Sequence, residues 1–297
     1  PPAENAGNDT RIIGWVAYWD QEAGIESFKE NLKHFNYLSF FWYYLDAQGE
    51  VQKYEIAEEN RSALAAAQQN SVKVFAVVTN LPDYEEGGDW DWRRVDKVIS
   101  SPQARREHIA ALVALAERLN LDGIDIDYEA LRRSQRENFS AFIKELSEAL
   151  HAKGKLLGVA LHPKTSENNP QEDNGSHAQD WRVLSKYADN LYLMTYSEHY
   201  LGSDPGPNAS VGWVDKILNY AVNVIGVPRE KLFFGIPFYG HEWAGGGQNY
   251  RGIDSDINFA NVLEVIGKFG VEIKWDEKSQ TPYVTYFRRG ERRSIWF

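Results

Sequence analysis

From Arg11 to about residue 240 the chain alternates short apolar bursts with longer stretches in which apolar positions recur at helical spacing. The bursts stand at residues 12–18, 37–42, 74–79, 123–128, 156–161, 191–196 and 233–238, and their length and bounding polar residues predict strands. Helix punctuation fills the gaps. Ser101 before Pro102 pairs a cap with a first-turn proline, ahead of a buried stripe of Ile109, Leu112, Val113, Ala116 and Leu119. Ser134 with Glu137 has the spacing of a capping box; Phe139, Phe142, Ile143, Leu146 and Leu150 follow on one face, and Gly154 marks the stop. A third amphipathic stretch covers 211–225, before the break at Gly226-Val227-Pro228.

Seven strands in unbroken βα alternation predict an α/β fold, a (β/α)8 TIM barrel rather than a doubly wound sheet, because no glycine-rich phosphate turn follows the first strand. Gly245-Gly246-Gly247 lacks that spacing and follows no clear strand, so nucleotide binding is not expected. The texture then changes. One helix-like stretch (258–269), three strand-like pieces (271–275, 283–287 and 294–297) and a turn at Arg289-Gly290 predict a small α+β insertion domain after the seventh strand. The domain reading is a linker over 1–10, a barrel over 11–240 and the insertion over 241–297. The polar segment 1–10 has the character of a linker left after loss of a signal segment or upstream module, which favours export.

Composition narrows the chemistry. The 297 residues contain no cysteine, which excludes a disulfide framework, a zinc–thiolate site and thiol catalysis. A net charge of -11, from 32 basic and 43 acidic residues, argues against nucleic acid as a partner. No apolar run reaches the roughly 18 residues of a spanning helix, so membrane insertion is not expected. Ten Trp, sixteen Tyr and fourteen Phe supply ring faces suited to sugars as well as to a core.

The informative segment is Asp122-Gly123-Ile124-Asp125-Ile126-Asp127-Tyr128-Glu129. Alternation along a strand puts Asp125, Asp127 and Glu129 on one face, with Ile124, Ile126 and Tyr128 on the other. In a sheet covered by helices, three carboxylates on one face are tolerable only where they point into a barrel lumen that opens onto a wet cleft. Carboxylates this close cannot all ionise, so at least one retains a proton at neutral pH; Glu129, nearest the mouth, is the natural general acid. A metal site is the rival use of clustered acids, but the spacing is not that of a calcium loop and no helical His pair supports zinc. His162, His199 and His241 follow predicted strands as singletons and read as structural hydrogen bonders. No GxSxG elbow is present.

That segment resembles the DGxDxDxE signature of glycoside hydrolase family 18, the chitinase-like enzymes, with every fixed position present. Leu193-Met194-Thr195-Tyr196 resembles the family's sixth-strand MxY segment and Gly235-Ile236-Pro237-Phe238-Tyr239-Gly240 its GIPxYG segment; Lys274-Trp275-Asp276, Pro282-Tyr283 and Ile295-Trp296-Phe297 are similar to its insertion domain. The resemblance runs from about residue 11 to residue 297, and its texture is closest to bacterial cell-wall and spore-associated members. It implies a retaining, substrate-assisted glycosidase acting on β-1,4 bonds in N-acetylglucosamine-containing polysaccharide, chitin or peptidoglycan, with no metal or organic cofactor. By the same resemblance Glu129 protonates the glycosidic oxygen, Asp127 orients the acetamido group, Asp125 tunes Asp127, and Tyr196 donates to the acetamido oxygen. Met194 and Tyr239 line that subsite, while Tyr18, Phe41 and Asn80 are candidates for the pocket wall. A secreted protein associated with a bacterial cell wall or spore is implied. The competing function is a lectin-like relative that binds glycan without turnover.

Two departures stand out. Ser197 occupies the position after the sixth-strand tyrosine where many members have Asp. Family members also continue beyond the insertion through a helix, a closing eighth strand bearing a subsite tryptophan, and a last helix. No such pattern precedes Phe297, so the closing eighth strand is expected to be missing from the chain, and Trp296 is not assigned that tryptophan's role.

Overall fold

A computed structural model describes residues 10–169, 174–246 and 249–297; the linker expected over 1–10 lies outside the described residues except for Thr10. In chain order the elements are β1 (Ile13–Ala17), α1 (Gln21–Glu30), β2 (Tyr37–Leu45), β3 (Val51–Lys53), α2 (Arg61–Gln69), β4 (Lys73–Thr79), α3 (Trp92–Ile99), α4 (Pro102–Arg118), β5 (Gly123–Asp127), α5 (Arg136–His151), β6 (Leu156–Leu161), α6 (Trp181–Tyr187), β7 (Asn190–Leu193), α7 (Val211–Asn219) and β8 (Leu232–Phe234). There follow β9 (Tyr239–Gly246), β10 (Asn249–Asn258), α8 (Phe259–Phe269), β11 (Lys274–Asp276), β12 (Thr281–Arg288) and β13 (Glu291–Trp296). One sheet has the order β1-β2-β4-β5-β6-β7-β8, with β3 hairpinned onto β2. The pairs from β1 to β6 along this path are parallel, and strand neighbours are sequence neighbours apart from the hairpin, the order of a (β/α)8 barrel.

Two compact units divide the chain: the first runs to His162 and takes in Asn168–Tyr192 and Pro228–Leu232, and the second comprises Pro163–Glu167, Leu193–Val227 and Phe233–Phe297. The core of the first unit holds both faces of the central strands. Val74, Phe75, Ala76, Val77 and Val78 are inaccessible to solvent, as are Ile124 and Ile126, which is why these strands read as near-continuous apolar runs. Below the sheet, short acidic side chains set the register. Asp122 Oδ2 accepts from Val74 N at 2.8 Å, and Asp189 Oδ2 accepts from Leu157 N at 2.8 Å. The first aspartate of the signature is thus a strand clip and stands apart from the two that follow it.

Several boundaries differ from the sequence reading. The strand expected over 123–128 ends at Asp127, because Ala130 takes a left-handed φ of 54° and turns the chain away. The strand expected over 191–196 ends at Leu193, and that over 233–238 ends at Phe234, ahead of Pro237, which has no N–H for a ladder. The helix expected from Ser134 begins at Arg136 after a tight turn, where the Gln135 side chain, in place of a Ser134–Glu137 box, accepts from Arg132 N at 2.8 Å. The stretch over 211–225 is helical to Asn219 and then widens for a last turn that Gly226 closes at φ 83°.

In the second unit the tail is an antiparallel sheet of order β10-β9-β13-β12-β11, so it holds two strands more than the three expected. Gly246 ends β9, and Gly247 lies outside the described residues. The Arg289-Gly290 turn joins β12 to β13 with φ values of 54° and 79°, the paired positive angles of a tight hairpin. Helix α8 covers a core of Ile257, Val262, Val284, Tyr286 and Ile295. Residues 294–296 pair with β9 and β12 in this sheet, and Trp296 stacks on Tyr283 with centroids 4.6 Å apart. That segment therefore belongs to this antiparallel sheet. No helix among the described residues is long and apolar enough to cross a membrane.

Candidate active site

Strand β5 presents Asp125 and Asp127 on one face, as alternation requires, and the opposite face is equally defined. Tyr128 is buried against α4 and α5, its hydroxyl 2.7 Å from His108 Nε2 and its ring stacked on Phe142 at 6.0 Å. Asp125 is fully buried and accepts two hydrogen bonds, from Ser39 Oγ at 2.5 Å and from Tyr192 OH at 2.9 Å. Tyr192 in turn accepts from Asn190 Nδ2 at 3.1 Å. Space for this triad comes from Gly158 on β6: a Cβ there would stand 2.0 Å from Asp125 Oδ1 and 2.6 Å from the Tyr192 hydroxyl. Burial pushes the Asp125 carboxyl up to about 7, against the opposing pull of its two donors.

Asp127 is also buried, and its Oδ1 has no hydrogen-bond partner among the described residues. Burial first, then the charge of Asp125, pushes it up to about 7. The two aspartates therefore titrate as a pair in which a proton persists near neutrality. Glu129 lies two residues past the strand, off the ladder that was expected to carry it, and its position comes from Asn80 instead. Asn80 Nδ2 donates to Glu129 O at 2.9 Å while Glu129 N donates to Asn80 Oδ1 at 2.8 Å. Asn80, expected in the pocket wall, is inaccessible to solvent and acts as a two-way clamp on the main chain of the acid. Beyond Ala130 the chain is tied down again, with the Arg132 guanidinium 3.7 Å from the centre of the Trp92 ring. Burial, with the negative charges of Asp127 and Asp89, holds the Glu129 carboxyl well above the usual range, which favours its protonated form. Its side chain remains 17% exposed.

Tyr18 and Phe41 do meet in this unit, 5.9 Å apart and near parallel, in a cluster that the sequence reading did not complete. Tyr54 stacks on Tyr18 at 4.0 Å, and its hydroxyl reaches Thr79 Oγ1 and Leu81 O, each at 2.8 Å. Tyr54 arrives on the β2–β3 hairpin. The signal for that hairpin was Asp46-Ala47-Gln48-Gly49, where Asp46 Oδ1 accepts from Gln48 N and Glu50 N and Gly49 takes φ 90°. His162, directly after β6 and read from the sequence as a structural hydrogen bonder, has its Nε2 3.4 Å from Glu129 Oε2.

The other candidates lie in the second unit. Met194 is half-buried just after β7. Tyr196 and Tyr239 pack edge to face with centroids 6.0 Å apart, and Gly235 makes room, since a Cβ there would come within 2.5 Å of the Tyr196 ring. Ser197, in left-handed conformation, donates its N–H to Asn208 Oδ1 at 2.6 Å, and its Oγ is 3.2 Å from Tyr239 OH. Asn208 also donates to Tyr239 O at 2.9 Å. Around the β12–β13 turn stand Arg288, Arg289, Arg292 and Arg293, of which Arg293 pairs with Glu242 at 2.8 Å. Among the described residues no three His, Cys, Asp or Glu side chains are grouped so as to hold a metal ion.

This geometry has counterparts among known proteins. A chitinase from Chromobacterium violaceum ATCC 12472 superposes with a TM-score of 0.84 at 26% identity, over 97% of this chain and 86% of that one. The uncharacterized glycosylase YvbX of Bacillus subtilis (strain 168) is 29% identical over 246 residues, 82% of this chain and 68% of its own. The cortical fragment-lytic enzyme of the same organism is 24% identical over 274 residues, 91% of this chain and 60% of its own. The chain thus spans about three-fifths of the length of that relative. The model of the glycosyl hydrolases family 18 matches residues 11–297, in keeping with the parallel β/α sheet and its acidic strand, and the chain belongs to that family.

Proposed function

We propose that this chain hydrolyses β-1,4 bonds beside N-acetylglucosamine in a glycan, with retention and with assistance from the substrate's acetamido group. Glu129 carries the transferable proton. It protonates the glycosidic oxygen, the bond to the anomeric carbon breaks, and the acetamido carbonyl oxygen closes onto that carbon. Water then opens the resulting ring and returns a proton to Glu129. The Asp127 carboxylate accepts the acetamido N–H, a role suited to its unpartnered Oδ1, and Asp125 holds the adjacent charge in place through Ser39 and Tyr192. Tyr196 donates to the acetamido oxygen, Met194 and Tyr239 line its subsite, and Tyr18 and Phe41 form a sugar-facing wall. Residues 11–240 act as the catalytic domain and 241–297 as its insertion.

The observation that carries this reading is the graded set of carboxyls: Asp125 doubly anchored, Asp127 beside it with an oxygen to spare, and Glu129 clamped by its main chain yet open to solvent. The names of the cortical fragment-lytic relatives favour peptidoglycan, in a protein of the bacterial cell wall or spore, over chitin. Mass spectrometry of products after parallel incubation with purified peptidoglycan and with chitooligosaccharides tests this. Muropeptide products with intact chitooligosaccharides are expected; the reverse pattern replaces the substrate, and no products from either removes the hydrolase reading.

A further inference from the structure

One buried side chain beside the proposed acid, His162, has no part in the proposed reaction. His162 is 6% exposed, and its main chain is fixed by Gln179, which accepts from His162 N at 2.8 Å and donates to Ala160 O at 3.1 Å. The ring edge is closed off by Gly175, at φ 113°, where a Cβ would stand 2.9 Å from both Cδ2 and Nε2. Nε2 is buried, has no hydrogen-bond partner among the described residues, and lies 3.4 Å from Glu129 Oε2. A buried polar atom that finds no partner is costly to keep. This one stands beside the carboxyl that loses and regains a proton in each cycle of the proposed reaction, at a separation and angle that do not yet make a hydrogen bond.

We propose that His162 is a positioning residue for Glu129: its Nε2–H donates to the Glu129 carboxylate once that group has given up its proton, and holds it for reprotonation by water. The inference rests on the reading of Glu129 as the acid. Burial keeps the imidazole neutral, its pKa lowered to about 4, so it contributes an N–H and not a competing positive charge. The other groups beside Glu129 are Asp127 from the end of β5, Asp89 from the loop after β4, and the uncharged Asn80 directly after β4. Both acids penalise the carboxylate, so among these groups His162 is the one side chain able to favour it. An N–H given to a carboxylate is about twice as strong as one given to a neutral carboxyl. Loss of His162 should therefore raise the ionisation midpoint of Glu129 by about one pH unit, a tenfold change in its equilibrium.

The test is a ¹³C NMR titration of protein labelled at the glutamate side-chain carboxyls, with the Glu129 resonance assigned by its absence in Glu129→Gln. His162→Ala should move the Glu129 midpoint up by about one unit, and His162→Gln, which keeps an N–H at similar reach, should stay near the parent. Should the alanine variant fold poorly, His162→Asn, polar but too short to reach, should show the same upward movement. On a cleavable glycan, His162→Ala should lower kcat about tenfold with KM changed less than about twofold. An unmoved midpoint in the alanine or asparagine variant, or equal movement in the glutamine variant, overturns the proposal. The titration needs no turnover, so a protein that cleaves nothing but shows the shift would fail the proposed function and leave the His162–Glu129 contact standing.

Discussion

Replacing Asp127 by Asn should make the protein more stable in mildly alkaline buffer while abolishing its proposed activity. The folded state raises the Asp127 carboxyl from an ordinary 3.8 to about 7, through burial and the charge of Asp125. A raised carboxyl binds its proton more tightly folded than unfolded, so its contribution is fully present below about pH 4 and is lost as pH climbs through about 7. Integrated over that interval at about 1.4 kcal/mol per pH unit, the loss is at most about 4 kcal/mol. The two aspartates titrate as a pair, which makes about 2–4 kcal/mol the working range. Asparagine is nearly isosteric and carries no charge, so this pH-dependent loss disappears. At roughly 2 °C per kcal/mol for a chain of this size, the midpoint of thermal unfolding of Asp127→Asn should exceed that of the parent by about 4–8 °C at pH 8. At pH 4 the two should agree within about 2 °C, since both side chains are then uncharged. Circular dichroism melts from pH 4 to 8.5 read the difference directly. A gap that is the same at both ends, or that narrows as pH rises, would refute the claim that this carboxyl is held unwillingly in its charged form.

Other outcomes follow from the same contacts. Asn80→Ala strips both hydrogen bonds from the Glu129 main chain and should cost about 2–3 kcal/mol in urea unfolding, with turnover falling at least tenfold. Tyr192→Phe and Ser39→Ala each remove a donor to Asp125; each should cost about 1.5–3 kcal/mol at pH 8, where that carboxyl is ionised, and less at pH 5. Denaturant titrations at the two pH values check the difference, and an equal cost at both would show that Asp125 does not ionise on this path.

The central strand and its two aspartates were readable because β5 obeys strict alternation and is flanked by helices of clear periodicity. What alternation could not show is where the strand stops. Glu129 is off the ladder because Ala130 adopts a left-handed angle and Asn80, 49 residues away, grips the main chain. That grip is a long-range pairing with no local spacing to betray it. Tyr54 was hidden in the same way, since a three-residue strand on a hairpin carries little pattern of its own. His162 looks like any single histidine after a strand until Gly175 and Glu129 are seen beside its Nε2. In the antiparallel sheet of the tail, β9 and β10 went unrecognised because Gly245-Gly246-Gly247 and its polar surroundings lack the β-branched alternation of a strand. The pairing of β10 with β9, and of β9 with β13, supplies the order that local propensity does not.

The most direct measurement of the central claim is a proton NMR time course of the first product formed by the parent and by Glu129→Gln on whichever glycan the parent cleaves. The parent should release the β-anomer first, with the α-anomer appearing later by mutarotation, and Glu129→Gln should fall by about 10²–10⁴-fold in rate. An α-anomer formed first, or a glutamine variant that turns over as fast as the parent, would contradict the account.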